Sequence, residues 1–146
     1  MMPTIYIASD HAGSDLKVYL IAHLKKGGYN VIDMGPMDNC PTDYPKAAEE
    51  VANALYFEEN EENSRGILIC GTGLGMSMAA NRWRHIRAAL CTMEFHARKA
   101  REHNDANILC LGSRVTGHEL AAGIAEVFLT AKFAGGRHVE RLAMFN

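Results

Sequence analysis

The chain has almost no net charge, no long apolar run and no paired-cysteine motif, and each absence removes a class of function. Its 15 Lys and Arg against 17 Asp and Glu give a formal charge of -2. That balance offers no basis for binding a nucleic-acid backbone or an anionic membrane. No apolar stretch approaches the roughly 18 residues of a membrane span, and the first residues lack a basic-then-apolar leader, so the expected location is cytoplasmic. The four cysteines, Cys40, Cys70, Cys91 and Cys110, contain no CxxC pair and in that compartment stay reduced. The seven histidines form no HxH or HExxH spacing and have no carboxylate-rich cluster beside them, so no metal and no cofactor is expected.

What is present is an ordinary globular composition, 48% hydrophobic and 22% charged, over 146 residues. This suits a single domain, 1–146, with a core large enough to need neither disulfide nor metal. Strand-like apolar runs at 4–8, 30–34, 66–70, 86–91 and 107–111 alternate with helical patterns. Leu16, Leu20, Ile21 and Leu24 mark the face of a first helix, stopped by Gly27 and Gly28. Ala47, Ala48, Val51, Ala54 and Leu55 mark a second, with Asp43 as its cap and Pro45 in its first turn. A third begins near Gly75 and a fourth covers 94–102. The fifth opens on Thr116-x-x-Glu119, a capping-box spacing, and carries Leu120, Ile124, Val127, Phe128 and Ala131. A last helical segment runs over 136–144, and the acidic stretch 58–63 reads as an exposed loop. Alternation of this kind predicts an α/β fold: a five-stranded parallel sheet covered by helices on both faces, with strand-to-helix loops gathered at its carboxyl edge.

The most informative stretch is Ile67-Leu-Ile-Cys70-Gly71-Thr72-Gly73-Leu74-Gly75-Met76-Ser77. A buried strand runs into a thiol and then a loop with a glycine at every second position, opening a helix. Such a junction can aim successive backbone N–H groups at one anion. A potential base beside an anion hole is the pairing needed to remove a carbon-bound proton and hold the resulting enolate. Nucleotide motifs fit less well. No lysine follows the glycines, as a Walker loop requires, and Met76 stands where the dinucleotide fingerprint needs its third glycine, although Glu94 lies about 20 residues on.

Other segments are expected to join this loop at the carboxyl edge: Asp10-His11-Ala12-Gly13, Thr42-Asp43-Tyr44, His103-Asn104-Asp105 just before the fifth strand, and Gly112-Ser113-Arg114 after it. In a helical tail, Arg137 and Arg141 stand one turn apart and, with Arg114, would suit a phosphate dianion. Each piece has a plainer reading. Asp10-His11 alone is a turn or cap, the tail arginines a solvated face, and Cys70 a packed strand residue, as are Cys91 and Cys110. Cys40 reads as incidental, and His85, His96 and His118 as surface or packing residues.

Taken in order, the segments Asp10-His11-Ala12-Gly13, Thr42-Asp43-Tyr44-Pro45, Ile69-Cys70-Gly71-Thr72-Gly73-Leu74-Gly75-Met76-Ser77, His103-Asn104-Asp105-Ala106-Asn107, Gly112-Ser113-Arg114 and Gly135-Gly136-Arg137-His138 resemble the ribose-5-phosphate isomerase B family, whose group includes the galactose-6-phosphate isomerase subunits. The likeness runs over 5–141. It implies a Rossmann-like three-layer fold and metal-free interconversion of ribose 5-phosphate and ribulose 5-phosphate through a cis-enediolate. It also implies a homodimer or dimer of dimers whose active sites draw on both subunits. By the same likeness, Cys70 is the base, and His103 with Thr72 assists ring opening. The backbone of Gly71, Gly73, Leu74, Gly75 and Ser77 cradles the intermediate. Asp10, His11, Asp43, Tyr44 and Asn104 bind hydroxyls, and Arg114, Arg137 and Arg141, with His11 or His138, hold the phosphate. One branch of the family carries a glutamate later in the loop, which this chain lacks. The segment Thr92-Met93-Glu94-Phe95-His96 departs from the family's usual small residue near His96. A six-carbon sugar phosphate is the alternative substrate, and a nucleotide-binding module the alternative class.

Overall fold

The computed structural model describes residues 2–37, 41–57 and 63–145, so Cys40 and most of the acidic 58–63 stretch lie outside the described residues. Five strands, β1 (Thr4–Ser9), β2 (Asn30–Asp33), β3 (Ser64–Cys70), β4 (Ala88–Leu90) and β5 (Ile108–Gly112), form one parallel sheet in the order β2-β1-β3-β5-β4. The helices are α1 (Ser14–Lys26), α2 (Tyr44–Tyr56), α3 (Leu74–Ala80), α4 (Glu94–Glu102), α5 (His118–Thr130) and α6 (Arg137–Ala143). A 3-10 turn, His11–Gly13, leads into α1. None of these helices is long and apolar enough to cross a membrane.

Alternation along the central strands divides the core into two layers. Ile5, Ile7, Ile67, Ile69, Leu109 and Leu111 join α1, α4 and α5 on one face, where Ile124 and Phe128 are fully buried. On the other face, Ala8, Leu68, Cys70, Ile108 and Cys110 meet Ala48, Val51 and Met76 from α2 and α3. Each fully buried large side chain contributes on the order of 1.5–3 kcal/mol, so this two-sided burial holds the three layers together. The Cys70 side chain therefore points toward α2 and α3, whose N-termini, like those of the other helices that follow strands, stand at the carboxyl edge.

Strand order sets where a ligand can sit. β1 connects outward to β2, whereas the next connection returns past β1 to β3, so the chain reverses direction between β1 and β3. Loops leaving those two strands diverge and open a crevice at their carboxyl ends. Asp10 directly follows β1 and Cys70 ends β3, and the Asp10 N–H donates to the Ile69 carbonyl at 3.1 Å across the gap.

Three expectations are corrected. The fourth strand is only Ala88–Leu90, because at its start the Arg87 N–H turns to the Asn107 side chain at 2.7 Å instead of a strand partner. The capping box does not form: Thr116 is buried, Gly117 is the N-cap with no side-chain cap bond, and Leu120 lies 46% exposed. The segment His103-Asn104-Asp105 is not at the carboxyl edge. It ends α4 and precedes β5, whose Ile108 pairs with Gly66 and whose Gly112 pairs with Cys70, so it lies at the amino edge.

Candidate active site

At the carboxyl edge the residues are brought together by the loop 71–75. Cys70 is 3% exposed, and its Sγ accepts the Gly73 N–H at 3.1 Å, which fixes the direction of the sulfur at the loop's mouth. Gly73 makes that bond in a left-handed conformation, φ +82°, where a side chain would be strained and would run into Leu90 and the Leu111 backbone. Thr72 Oγ1 accepts the Leu74 N–H at 3.3 Å, and Ser77 Oγ donates back to the Leu74 carbonyl at 2.8 Å. With α3 beginning at Leu74, the N–H groups of its first turn face the mouth of the crevice.

Gly75 has a different role. A Cβ there would stand 2.7 Å from the Tyr44 ring, so the missing side chain lets Tyr44 from the start of α2 lie against the loop. Asp43 is the N-cap of α2, although its side chain makes no cap bond. Arg114 approaches from the other side, with Nη1 3.1 Å from where a Gly71 Cβ would be and its own N–H on the Gly71 carbonyl at 2.9 Å. Asp10 is largely buried, and its Oδ1 accepts the Gly13 N–H at 3.1 Å, the cap role that is its plainer reading. No hydrogen bond joins it to the exposed His11 among the described residues. Ser113, assigned no role of its own within Gly112-Ser113-Arg114 from sequence, ties two of these loops by donating Oγ–H to the Ala12 carbonyl at 2.8 Å.

The three described cysteines are free but differ in setting. Burial pushes the Cys91 thiol up to about 12 and drives Cys110 higher than its ordinary value as well, so both remain protonated packing residues. Only Cys70 stands beside the loop.

A second group collects at the amino edge. The His103 and His138 rings stack with centroids 4.3 Å apart and planes 16° from parallel. Burial first, and then the charges of His103, Arg137, Arg141 and Lys99, lower the His138 midpoint below that of an ordinary histidine. The segment between α5 and α6 is tied to the end of α4 there by the Ala134 N–H on the Glu102 carbonyl at 2.9 Å. Asn104 is exposed beside Leu142 and Phe145. The His103–His138 stack and the nearby Lys99 had no local signal in the sequence, because a separation of 35 positions says nothing about ring contact.

The predicted site thus falls into two halves. Asp10, His11, Asp43, Tyr44, Cys70, Thr72 and Arg114 lie at one edge, and His103, Asn104, Arg137 and Arg141 at the other. The five residues of β5 keep those edges roughly 13 Å or more apart. No group of three or more metal-ligating side chains occurs among the described residues.

Residues 5–145 match the model of a family described as Ribose/Galactose Isomerase. The chain is 45% identical to the ribose-5-phosphate isomerase B of Escherichia coli strain K12, over 97% of this chain and 93% of that one. Among solved structures, the ribose-5-phosphate isomerase B of Clostridium thermocellum is similar at 51% identity and a TM-score of 0.90, covering 97% of this chain and 93% of its own. That of Mycoplasma genitalium, solved with bound ribulose-5-phosphate, is similar at 43% identity and a TM-score of 0.91, covering 99% and 94%.

Proposed function

The chain belongs to the ribose/galactose isomerase family, and from that premise we propose that it interconverts ribose 5-phosphate and ribulose 5-phosphate, with Cys70 as the base. The observation that carries this reading is the Cys70 sulfur held by the Gly73 N–H at the mouth of a glycine loop, between the carboxyl ends of β1 and β3.

In this reading His103 passes a proton to the ring oxygen as the furanose opens, with Thr72 assisting. Cys70, as thiolate, takes the proton from C2 of the open aldose, leaving a cis-enediolate. Backbone N–H groups of 71–75 offset the charge that develops on its oxygens, which is where a preorganised donor lowers a barrier. The proton returns from Cys70 to C1 while one moves from O2 to O1, giving the ketose with no net gain or loss of atoms. Asp10, Asp43, Tyr44 and Asn104 position hydroxyls. Arg137 and Arg141 hold the phosphate with His11 or His138 close by, and Arg114 lines the loop.

Because Cys70 and His103 lie at opposite edges of one chain, the reading requires two copies, each lending its carboxyl edge to the other's amino edge. A homodimer with shared sites meets that need, and a dimer of such dimers preserves it.

The test is incubation of the chelator-treated protein with ribose 5-phosphate in D2O, followed at C1 and C2 by NMR. Ribulose 5-phosphate should form, and Cys70→Ala should lower the rate at least about a thousandfold without unfolding the chain. Absence of conversion by the unmodified protein would overturn the choice of a five-carbon substrate, and undiminished turnover by Cys70→Ala would overturn the assignment of the base.

A further inference from the structure

Ser113 reaches two loops of the carboxyl edge at once, one through its main chain and one through its side chain. Its N–H donates to the Cys70 carbonyl at 2.8 Å, and its Oγ–H donates to the Ala12 carbonyl at 2.8 Å. The residue is half-buried, and a carbonyl oxygen can only accept, so the direction of the hydroxyl bond is fixed.

The Ala12 carbonyl belongs to the peptide unit whose N–H is that of Gly13. In a trans peptide the two groups point opposite ways, so holding the carbonyl turns the Gly13 N–H toward Asp10. There it donates to Asp10 Oδ1 at 3.1 Å and also faces the Asp10 carbonyl at 3.2 Å. A line of hydrogen bonds thus runs from the Ser113 hydroxyl, through one planar peptide, to the Asp10 carboxylate. Each bond in such a line polarises the next. The peptide has little room to swing, because a Cβ on Gly13 would stand 2.6 Å from the Ile69 carbonyl oxygen.

We propose that Ser113 is a positioning residue whose hydroxyl, acting through the Ala12–Gly13 peptide, holds the Asp10 carboxylate in the orientation that receives a sugar hydroxyl. The role rests on the isomerase reading given above. Its support of Cys70 is a separate matter, since that bond uses the main chain and survives loss of the side chain. Removing the hydroxyl therefore loosens the grip on substrate and leaves the base in place.

Steady-state kinetics with ribose 5-phosphate test the split. Ser113→Ala should raise KM about two- to tenfold, the range of one hydrogen bond, and leave kcat within about twofold. Ser113→Thr, which keeps the hydroxyl, should recover most of the loss. Asp10→Ala removes the end of the line, so adding Ser113→Ala to it should raise KM no further. The Gly13 amide, followed by NMR without substrate, needs neither turnover nor the Asp10 variant. Its proton should move upfield in Ser113→Ala and return in Ser113→Thr. An unchanged KM in Ser113→Ala, a kcat that falls as far as KM rises, an additive loss in the double variant, or a Gly13 amide that stays put would each overturn the role. If the unmodified chain converts no ribose 5-phosphate, the isomerase reading fails, and the Gly13 amide still decides whether Ser113 holds Asp10.

Discussion

At the scale of single residues, the loop's glycines answer different physical demands, and substitution should separate them. Gly73 sits at φ +82°, a region costing an L-residue about 1–2 kcal/mol before any contact is counted. Gly73→Ala adds a collision with Leu90 and the Leu111 backbone and tilts the N–H that holds Cys70 Sγ. Denaturant titration should show a loss of at least that size, and kcat should fall with it. Gly75 lies within α3, where alanine is preferred by about 1 kcal/mol, and only the Tyr44 ring stands in the way. Gly75→Ala should leave the unfolding midpoint near its starting value while raising KM, because the ring must leave the crevice. A large stability loss with unchanged KM would mean that Tyr44 packs the fold and does not meet the substrate.

At the scale of elements, α6 gives a prediction with a definite sign. The folded chain lowers the His138 midpoint, so between that midpoint and the ordinary value near 6.5 it binds fewer protons than the unfolded chain. The stability this group contributes is complete above about 6.5 and is lost as pH falls toward the folded midpoint. An NMR titration of the imidazoles should find His138 below its ordinary value. Inorganic phosphate should raise the midpoint by offsetting Arg137 and Arg141, whereas Arg137→Ala/Arg141→Ala should raise it only in part, since burial is the larger cause. A midpoint that phosphate does not move would argue that the tail arginines do not seat the phosphate. Elements of this kind were largely legible in the sequence. The 94–102 pattern gave α4 within its observed bounds, and strand 66–70 was short only by its two polar first residues, Ser64 and Arg65. The misreadings have local causes: Thr116 is drawn into the core before the helix begins, and Arg87 trades a strand bond for the Asn107 side chain.

At the scale of the whole molecule, the sequence suggested which residues the candidate site draws on, but not that the fold divides them between two edges. Periodicity places Cys70 at a carboxyl edge, but His103 looked equally close because it adjoins a strand, and only the direction of β5 sends it to the far edge. On the proposed shared-site reading, two halves held apart by a rigid parallel sheet predict a specific behaviour in mixtures. Cys70→Ala alone and His103→Asn alone should each be nearly inactive, since every site in either homodimer lacks one group. In a mixed dimer, one site receives both defects. The other joins the intact Cys70 of the His103→Asn chain to the intact His103 of the Cys70→Ala chain. Random reassembly from equal amounts makes half the dimers mixed, with one working site in two, so activity should return to about a quarter of the unmodified level. Recovery should follow subunit exchange in time, rising after mild dissociation and staying flat when the homodimers are crosslinked first. If Cys70 and His103 of one chain instead served the same site, each chain would bring its own defect to its own site. Mixing would then restore nothing, whatever the degree of exchange.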